Sequence, residues 1–440
     1  MEIESLISAR WLVTVDPQDT VLEQHTLAIQ DGRILDILPI QQAEQNYQPR
    51  QRLHLEQHAL LPGLVNVHTH AAMALLKGLA DDLPLMEWLE QHIWPAEARW
   101  ASEEYVYQGT RLAIAEMLRS GTTCFNDMYF FPEAAARAVE ESGIRAALGM
   151  ILIDFPTAYA ANADEYLDKA RALHQQLAGH SRIHLLFAPH APYTVSDEPL
   201  QKLAALADEL QVPVHMHVHE TAFEVLQAEQ QGERPLARLQ RLGLLDRHFL
   251  AVHMTQLTDA EIELAAQQGL HIAHCPESNL KLASGFCPTA RLLAAGVNVA
   301  LGTDGNASNN DLDLFGEMRT AALLGKGVAQ DATALPAAQV LRMATLNGAR
   351  ALGLEQQIGS LETGKSADLI AVDLGTLESR PLYDPVSQLV YCAGREQVTH
   401  AWVTGRLLLE QRQLTTLDTT ELLAEADDWQ QRLSTGEQHD

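Results

Sequence analysis

The stretch GLVNVHTH, residues 63–70, ends an apolar run with two histidines, His68 and His70. Alternate residues of a β-strand point to the same side, so the two imidazoles face one way. A buried polar side chain needs a hydrogen-bond partner or a metal ion. Three interpretations are therefore open from this stretch alone: a pair of metal ligands, a hydrogen-bonded pair in the core, or a pair on the surface.

The middle of the chain repeats one arrangement eight times, a short β-rich run followed by a helical pattern. The eight runs are VNVHTH (65–70), TTCFND (122–127), IRAALGMIL (144–152), IHLLFAPH (183–190), PVHMHVHE (213–220), FLAVHMT (249–255), HIAHCP (271–276) and VNVALGTD (297–304). Eight βα units within roughly 250 residues are what a (β/α)8 TIM-type barrel requires. A doubly wound open sheet is the alternative, but no G-x-G-x-x-G follows the first run.

Capping residues mark the predicted helix boundaries. Ser196 and Thr258 are good N-cap residues. Glu261, three residues after Thr258, completes the pattern of a capping box. Gly143 and Gly269 follow helical patterns and are expected to end them.

The two ends of the chain carry a different, alternating β pattern. An Asp-Gly turn separates two such runs near the N terminus, and similar runs return after Gly364. We expect a small β-sandwich domain built from both termini, with residues 1–58 and 364–440 flanking a barrel of residues 59–363. After about Thr419 the sequence predicts a surface helix and then a frayed end.

Composition narrows the classes of partner and compartment. The 440 residues are 47% hydrophobic and 20% charged, and 30 basic against 58 acidic residues give a net charge of −28. Such a surface repels nucleic acid and anionic lipid, so neither is an expected partner. No apolar run reaches the ~18 residues of a membrane helix, and the acidic N terminus differs from a secretory signal. The four cysteines form no C-x-x-C pair, so we expect reduced thiols in a cytoplasmic enzyme. Assembly into a homo-oligomer is left open by the sequence.

Polar residues interrupt the β runs at their ends. In barrels of this class the active-site residues lie at the carboxyl ends of the strands. The residues concerned are His68, His70, His190, the run HMHVHE (215–220), His253 and Asp304. Three histidines and one aspartate suit Zn²⁺ or Fe²⁺ with an open position for water. The fifth run offers His215, His217 and His219 on one face, and spacing alone does not choose among them.

Longer blocks around these residues resemble the amidohydrolase superfamily, and within it the 5′-methylthioadenosine/S-adenosylhomocysteine deaminases. The blocks are LPGLVNVHTHAAMALLKGLADDLP (61–84), APHAPYTVS (188–196), HVHET (217–221), HCPESNLKLASG (274–285) and LGTDGNASNNDLDLFGEMR (301–319). The resemblance covers nearly the whole chain. It implies hydrolytic deamination of an adenine nucleoside at purine C6, with release of ammonia.

The resemblance also implies the residues of the site. The family's H-x-x-E matches His217 to Glu220, so the implied metal ligands are His68, His70, His217 and Asp304. Glu220 would protonate a ring nitrogen, His253 would orient the attacking water, and Asp304 would take its proton. Glu97 would bind the ribose hydroxyls and His190 the purine.

One divalent metal per chain is expected, most naturally Zn²⁺, with Fe²⁺ or Mn²⁺ as alternatives. Some relatives with two metals bridge them by a modified lysine from the fourth strand, and IHLLFAPH contains no lysine.

The chain departs from the family where the far end of the substrate would lie. Residues 146–166 contain no lysine or arginine to pair with the carboxylate of S-adenosylhomocysteine. Met150 in this segment would suit a thioether methyl. We therefore expect methylthioadenosine to be preferred over S-adenosylhomocysteine and adenosine. The long loop after the first strand, with Trp88, is expected to cover the pocket.

Two other classes of function remain open from the sequence. Another amidohydrolase, such as a triazine chlorohydrolase, a guanine or cytosine deaminase or a hydantoinase-type ring opener, would use nearly the same polar residues. A metal-binding protein without catalytic activity is the alternative outside enzymes. A panel of nucleosides, free bases and triazines discriminates among them.

Overall fold

The computed structural model describes residues 1–436, and its strands form two eight-stranded sheets. In chain order the strands are β1 Glu2–Val13, β2 Val21–Gln30, β3 Arg33–Pro39, β4 Gln48–Pro62, β5 Leu64–Thr69, β6 Thr122–Tyr129, β7 Arg145–Leu152, β8 Ile183–Pro189, β9 Val214–Val218, β10 Phe249–His253, β11 His271–His274, β12 Asn298–Leu301, β13 Leu369–Asp373, β14 Val398–Val403, β15 Arg406–Glu410 and β16 Gln413–Leu414.

Helices connect and cover these strands. The α-helices are α1 Ile40–Asn46, α2 Leu85–Trp88, α3 Trp94–Trp100, α4 Glu103–Arg119, α5 Pro132–Ser142, α6 Ala163–Gln176, α7 Asp197–Leu210, α8 Ala222–Gln230, α9 Pro235–Arg241, α10 Asp259–Gln268, α11 Pro276–Lys281, α12 Thr289–Ala294, α13 Leu314–Ala329, α14 Ala337–Met343, α15 Leu346–Ala351, α16 Pro385–Tyr391 and α17 Thr419–Thr435. Short 3₁₀ turns span Ala71–Leu76, Leu377–Ser379 and Arg395–Gln397, and one π-helical turn spans Leu89–Ile93.

Strands β5 to β12 form a barrel in which each strand pairs in parallel with the next one along the chain. The two ends of this sheet meet where the Asp304 backbone N–H donates to the His68 carbonyl at 3.0 Å. The Asn66 amide also donates to the Thr303 hydroxyl at 2.8 Å. Each barrel strand overlaps one of the eight predicted β runs, so the predicted (β/α)8 TIM-type fold is confirmed.

The second sheet contains strands from both termini, as the alternating pattern predicted. Its order is β16-β15-β14-β13-β4-β1-β2-β3. Only the β1–β4 pair is parallel, and the other neighbours are antiparallel. Asp31 and Gly32 form the predicted turn between β2 and β3, with φ of 52° and 68°. The domain limits at residues 58/59 and 363/364 remain predictions.

The predicted capping residues hold the helix ends, with one exception. Thr258 and Glu261 form the capping box of α10, and Gly269 ends that helix with φ of 70°. Gly143 ends α5 with φ of 86°. Ser196 occupies the N-cap position of α7, but its side chain accepts no hydrogen bond from the helix. The Asp154 side chain instead accepts from the Ser196 backbone N–H at 2.7 Å.

A buried ion pair joins the two sheets. The Arg145 guanidinium at the start of β7 meets the Asp368 carboxylate at 2.8 Å, and each side chain is 1% exposed. Arg145 also donates to the Ser181 carbonyl at 3.0 Å and the Ser366 hydroxyl at 3.3 Å. These bonds compensate the loss of hydration of both charges, so the pair fixes the barrel against the terminal sheet.

The C-terminal helix α17 was predicted as a surface helix, and it begins at Thr419 and packs Leu422 and Trp429 inward. The predicted frayed end falls partly on residues 437–440, which lie outside the described residues. No helix within residues 1–436 combines the length and the apolar character that a membrane span requires. All four cysteines are free thiols. The cytoplasmic location and the oligomeric state stay predictions.

Candidate active site

Four side chains converge at the carboxyl ends of β5, β9 and β12. One ligand atom from each of His68, His70, His217 and Asp304 lies within 4.8 Å of the others. The Nε2 atoms of His68 and His70 are each 3.2 Å from Asp304 Oδ1. The Nε2 atoms of His68 and His217 are 3.1 Å apart. Three imidazole nitrogens and one carboxylate oxygen at this spacing form a donor set suited to a divalent metal.

The far side of each imidazole is already occupied, which orients Nε2 toward the cluster. Nδ1 of His70 lies 2.6 Å from the Met128 carbonyl, and Nδ1 of His217 lies 2.7 Å from the His190 carbonyl. Nδ1 of His68 is 2.9 Å from Nε2 of His215. A backbone carbonyl on Nδ1–H selects the tautomer whose Nε2 lone pair is free for a metal.

Burial also favours the neutral, metal-binding form of two of these imidazoles. Burial lowers the pKa of His68 to about 4, against the opposing effect of its hydrogen bond to the Asp304 carboxylate. Burial likewise lowers the pKa of His217 well below its usual value. Neutral imidazole is the form that ligates a metal, so these residues fit the group that the donor set implies.

Asp304 is held by its neighbours on both carboxylate oxygens. The Ser278 hydroxyl donates to Oδ2 at 2.7 Å, and the Gly305 backbone N–H donates to Oδ1 at 2.8 Å. The residue has φ of 63°, in the left-handed region that non-glycine residues rarely occupy. Such a conformation persists where the surroundings fix it, and it often marks a functional site.

Glu220 and His253 lie beside the four ligands. Their Oε1 and Nε2 atoms are 3.9 Å apart. His253 has φ of 73°, and its Nδ1 is 2.9 Å from the Asn279 side-chain oxygen. Burial raises the pKa of Glu220, and the charge of His253 opposes this rise. A buried carboxyl with a raised pKa holds its proton more tightly than an exposed one, which suits a general acid.

A cavity of about 280 Å³ opens onto these groups. Its floor is polar, with His70, His217, Glu220, His253 and Asp304 among the lining residues. Its outer wall is apolar and aromatic, and includes Trp88, Leu89, Trp94, Ile151, Ile153 and Phe155. Among residues 1–436, no lysine or arginine lines the cavity.

The two predicted substrate-binding residues, Glu97 and His190, also line this cavity. Glu97 belongs to α3, and desolvation raises the pKa of its carboxyl to about 7, against the opposing effect of the nearby Tyr129 hydroxyl. Nδ1 of His190 is 3.0 Å from the Thr194 hydroxyl. The cavity lining thus includes the predicted catalytic and substrate-binding residues and three of the four predicted metal ligands. The fourth, His68, belongs to the ligand cluster but not to the lining.

Met150 was expected to contact the thioether methyl of the substrate, but it does not line the cavity. It lies in the buried hydrophobic core and is 2% exposed, whereas Ile151 and Ile153 line the cavity. Side chains alternate between the two faces of a strand, so Met150 points away from the cavity that its neighbour Ile151 faces. The sequence interpretation had the correct segment and the wrong face.

Sequence reasoning missed the residues that hold the site from behind. These are Asn126, Asp127, Glu224, Ser278 and Asn279. Glu224 carried a readable signal, because Thr221 and Glu224 have the Thr-x-x-Glu spacing of a helix start directly after Glu220. Ser278 and Asn279 lie inside a quoted block but have no local pattern that predicts their contacts.

The model of the Amidohydrolase family matches residues 59–408. The chain belongs to the amidohydrolase family. A protein of Saccharophagus degradans, named 5-methylthioadenosine/S-adenosylhomocysteine deaminase, is 50% identical over 97% of this chain and 96% of that protein. One of the same name from Teredinibacter turnerae is 51% identical over 98% of each chain. The resemblance drawn from the sequence blocks is confirmed.

Solved structures extend the likeness to the whole fold of this amidohydrolase. A zinc-bound structure described as an adenosine deaminase from Xanthomonas campestris is 54% identical, covers 99% of each chain and superposes with a TM-score of 0.98. An atrazine chlorohydrolase from Arthrobacter aurescens is 22% identical with a TM-score of 0.90, covering 97% of this chain and 99% of that one. The second likeness concerns the fold alone.

Proposed function

We propose that this amidohydrolase removes the 6-amino group of an adenine nucleoside by hydrolysis, with one Zn²⁺ ion held by His68, His70, His217 and Asp304. The preferred substrate is 5′-methylthioadenosine, which gives 5′-methylthioinosine and ammonia. The observation that carries the proposal is the position of Glu220 and His253 beside the four-ligand cluster, on the floor of an apolar cavity. The names of the relatives at 50% and 51% identity support the same reaction.

A metal bound by these residues would supply Lewis-acid chemistry, which lowers the pKa of a water molecule to about 7 and makes a nucleophile available at neutral pH. Fe²⁺ or Mn²⁺ in the same donors would supply similar chemistry. Zinc is favoured because the relative at 54% identity holds it.

The protein's own residues then orient the attack and transfer the protons. His253 orients the attacking oxygen, since Asn279 fixes its ring from the far side. Asp304 accepts the proton that the attacking water loses. Glu220 donates a proton to the ring nitrogen beside C6, which makes that carbon electrophilic and allows a tetrahedral adduct at C6 to form. The proton held by Asp304 then passes to the amino group, which leaves as ammonia. The hydroxyl group of the adduct returns a proton to Glu220 as the C6 oxo group forms.

The cavity walls decide which nucleoside fits best. Glu97 accepts hydrogen bonds from the ribose hydroxyls, and His190 contacts the purine. The wall formed by Trp88, Ile153 and Phe155 would lie against the 5′ substituent and favours a methylthio group. A carboxylate there would lose its hydration without gaining a basic partner.

The test is the release of ammonia from methylthioadenosine, S-adenosylhomocysteine and adenosine, measured side by side on zinc-loaded protein. The proposal expects the highest kcat/KM for methylthioadenosine. A wider panel includes guanine, cytosine and a chlorinated triazine. Turnover of one of these, and of no adenine nucleoside, would overturn the proposal in favour of another amidohydrolase activity.

A further inference from the structure

Glu224 lies outside the cavity lining, yet its carboxylate reaches the backbone of the proposed acid. It is in the first turn of α8, is 6% exposed, and turns back toward the end of β9. Oε1 accepts from the His219 backbone N–H at 2.9 Å, and Oε2 accepts from the Glu220 backbone N–H at 2.7 Å. Hydrogen bonds to a carboxylate are charge-assisted and stronger than bonds between neutral groups.

The two residues that Glu224 holds form the exit from strand β9. His219 has φ of 55°, a left-handed conformation that needs support from its surroundings. The opposite side of the same segment is also fixed. The Thr255 backbone N–H donates to the His219 carbonyl at 2.9 Å, and the Thr255 hydroxyl donates to the Glu220 carbonyl at 2.6 Å. Both N–H groups and both carbonyls of the segment therefore have a partner.

Helix capping does not account for this arrangement. Thr221 is the N-cap of α8, and its hydroxyl accepts from the Glu224 backbone N–H at 3.3 Å. In a capping box the glutamate side chain would return to the N–H of the cap residue itself. Here it reaches one and two residues farther back, to Glu220 and His219. The carboxylate thus supports the segment that carries the acid.

We propose that Glu224 is a positioning residue, which sets the direction in which Glu220 presents its carboxyl group to the substrate. This inference rests on the proposed function of Glu220. A rotation of the peptide plane at Glu220 would move its carboxyl group, and a shift of ~1 Å at a reacting group costs about 10²-fold in rate. Glu224 itself does not touch the substrate.

The test compares E224Q with two control variants. An amide offers only one acceptor, so E224Q loses one of the two backbone bonds. The first control is E229Q, an exposed glutamate on the same helix that pairs with Arg234 at 2.6 Å. The second is T221A, which removes the helix cap and leaves Glu224 in place. We expect E224Q to keep one metal per chain and to lose ~10- to 100-fold in kcat, with KM within ~3-fold of wild type.

Two further measurements separate positioning from a role in folding. The double variant E220Q/E224Q should be no slower than E220Q. Once residue 220 can no longer donate a proton, moving its side chain has no further effect on the rate. A crystal structure of E224Q should show the Glu220 carboxyl group moved, and this measurement requires no turnover. E229Q and T221A should keep the wild-type kcat, and T221A should have a lower Tm.

Different experimental results would contradict the role of Glu224 and the proposed deamination. A wild-type protein that deaminates no adenine nucleoside contradicts the proposed function. An active wild type with an unchanged kcat in E224Q contradicts the inference alone. Loss of metal from E224Q, an equal fall in kcat in T221A, or fully additive losses in the double variant would also overturn it, because each shows that Glu224 holds the fold.

Discussion

The floor and the outer wall of the cavity are built in opposite ways. Most polar groups of the floor have a hydrogen-bond partner behind them, as Asp304 has Ser278 and His253 has Asn279. The outer wall is apolar and comes from separate segments, with Trp88 from α2 and Phe155 from the loop after β7. Trp94 and Phe155 meet edge to face, with ring centroids 6.3 Å apart.

This difference indicates that the floor carries out the reaction and that the outer wall selects the substrate. Directional hydrogen bonds fix the angles of the floor, where small displacements are costly. The wall acts through shape and desolvation, which tolerate small adjustments. We therefore expect changes at the floor to alter kcat by orders of magnitude, and changes at the wall to alter mainly the choice of substrate.

The largest effect should follow removal of the metal. Chelation should reduce turnover by more than ~10⁴-fold, because the attacking water then has no Lewis acid to lower its pKa. Zinc added back should restore activity at one ion per chain. Elemental analysis alongside the ammonia assay checks this, and two tightly held metals in the active protein would contradict the single-site assignment.

E220Q should be next in size. The glutamine keeps the shape of the side chain but delivers no proton, so kcat should fall ~10²–10⁴-fold while the metal stays bound. Nearly normal turnover of this variant, loaded with metal, would contradict the role of Glu220 as the acid. E229Q serves as the matched control, because its carboxylate lies on the surface.

Selectivity at the wall should be smaller in size. S-adenosylhomocysteine carries a carboxylate that finds no arginine or lysine in the cavity lining. One missing charge-assisted hydrogen bond corresponds to roughly 1.5–3 kcal/mol, so kcat/KM should favour methylthioadenosine by at least ~10-fold. The difference should appear mostly in KM. Equal efficiencies would mean that a basic group from outside the cavity reaches the substrate.

The smallest effect should be a pH dependence of KM. Desolvation raises the pKa of Glu97 to about 7, and the groups facing it are the Tyr129 and Tyr105 phenols and His70. The ionised carboxylate accepts two hydroxyl hydrogen bonds, and the protonated form accepts less well. KM should therefore fall several-fold, up to ~10-fold, as pH rises from 6 to 8. E97Q should have a higher KM that no longer varies over this range.

The sequence predicted the floor well because its signals are local or come from a long family block. Alternation along a strand placed His68 and His70 on one side, and the block at 301–319 marked Asp304. The register of β7 could not be read in the same way, because residues 145–152 are buried throughout and show no polar face. Met150 and Ile151 are equally apolar, so only the structure assigns them to opposite sides.

The supporting residues were missed for a different reason. Ser278 acts on Asp304 across 26 residues, and Asn279 acts on His253 across the same separation. A single sequence contains no signal for such pairs. Glu224 was readable as a helix-start residue, but not as a residue that holds the preceding strand end.

The terminal sheet has a consequence for how the chain is synthesised. Strand β4 is flanked by β1 and by β13, and its partner in the pair Leu369↔Pro62 is translated long after it. Asp368, which neutralises Arg145, is made equally late. Until residues 368–373 have been made, one edge of β4 in the nascent chain lacks its partner strand and the Arg145 guanidinium lacks its carboxylate. Truncated chains that end before residue 368 retain both defects, so they should be the preferred substrates of chaperones and proteases.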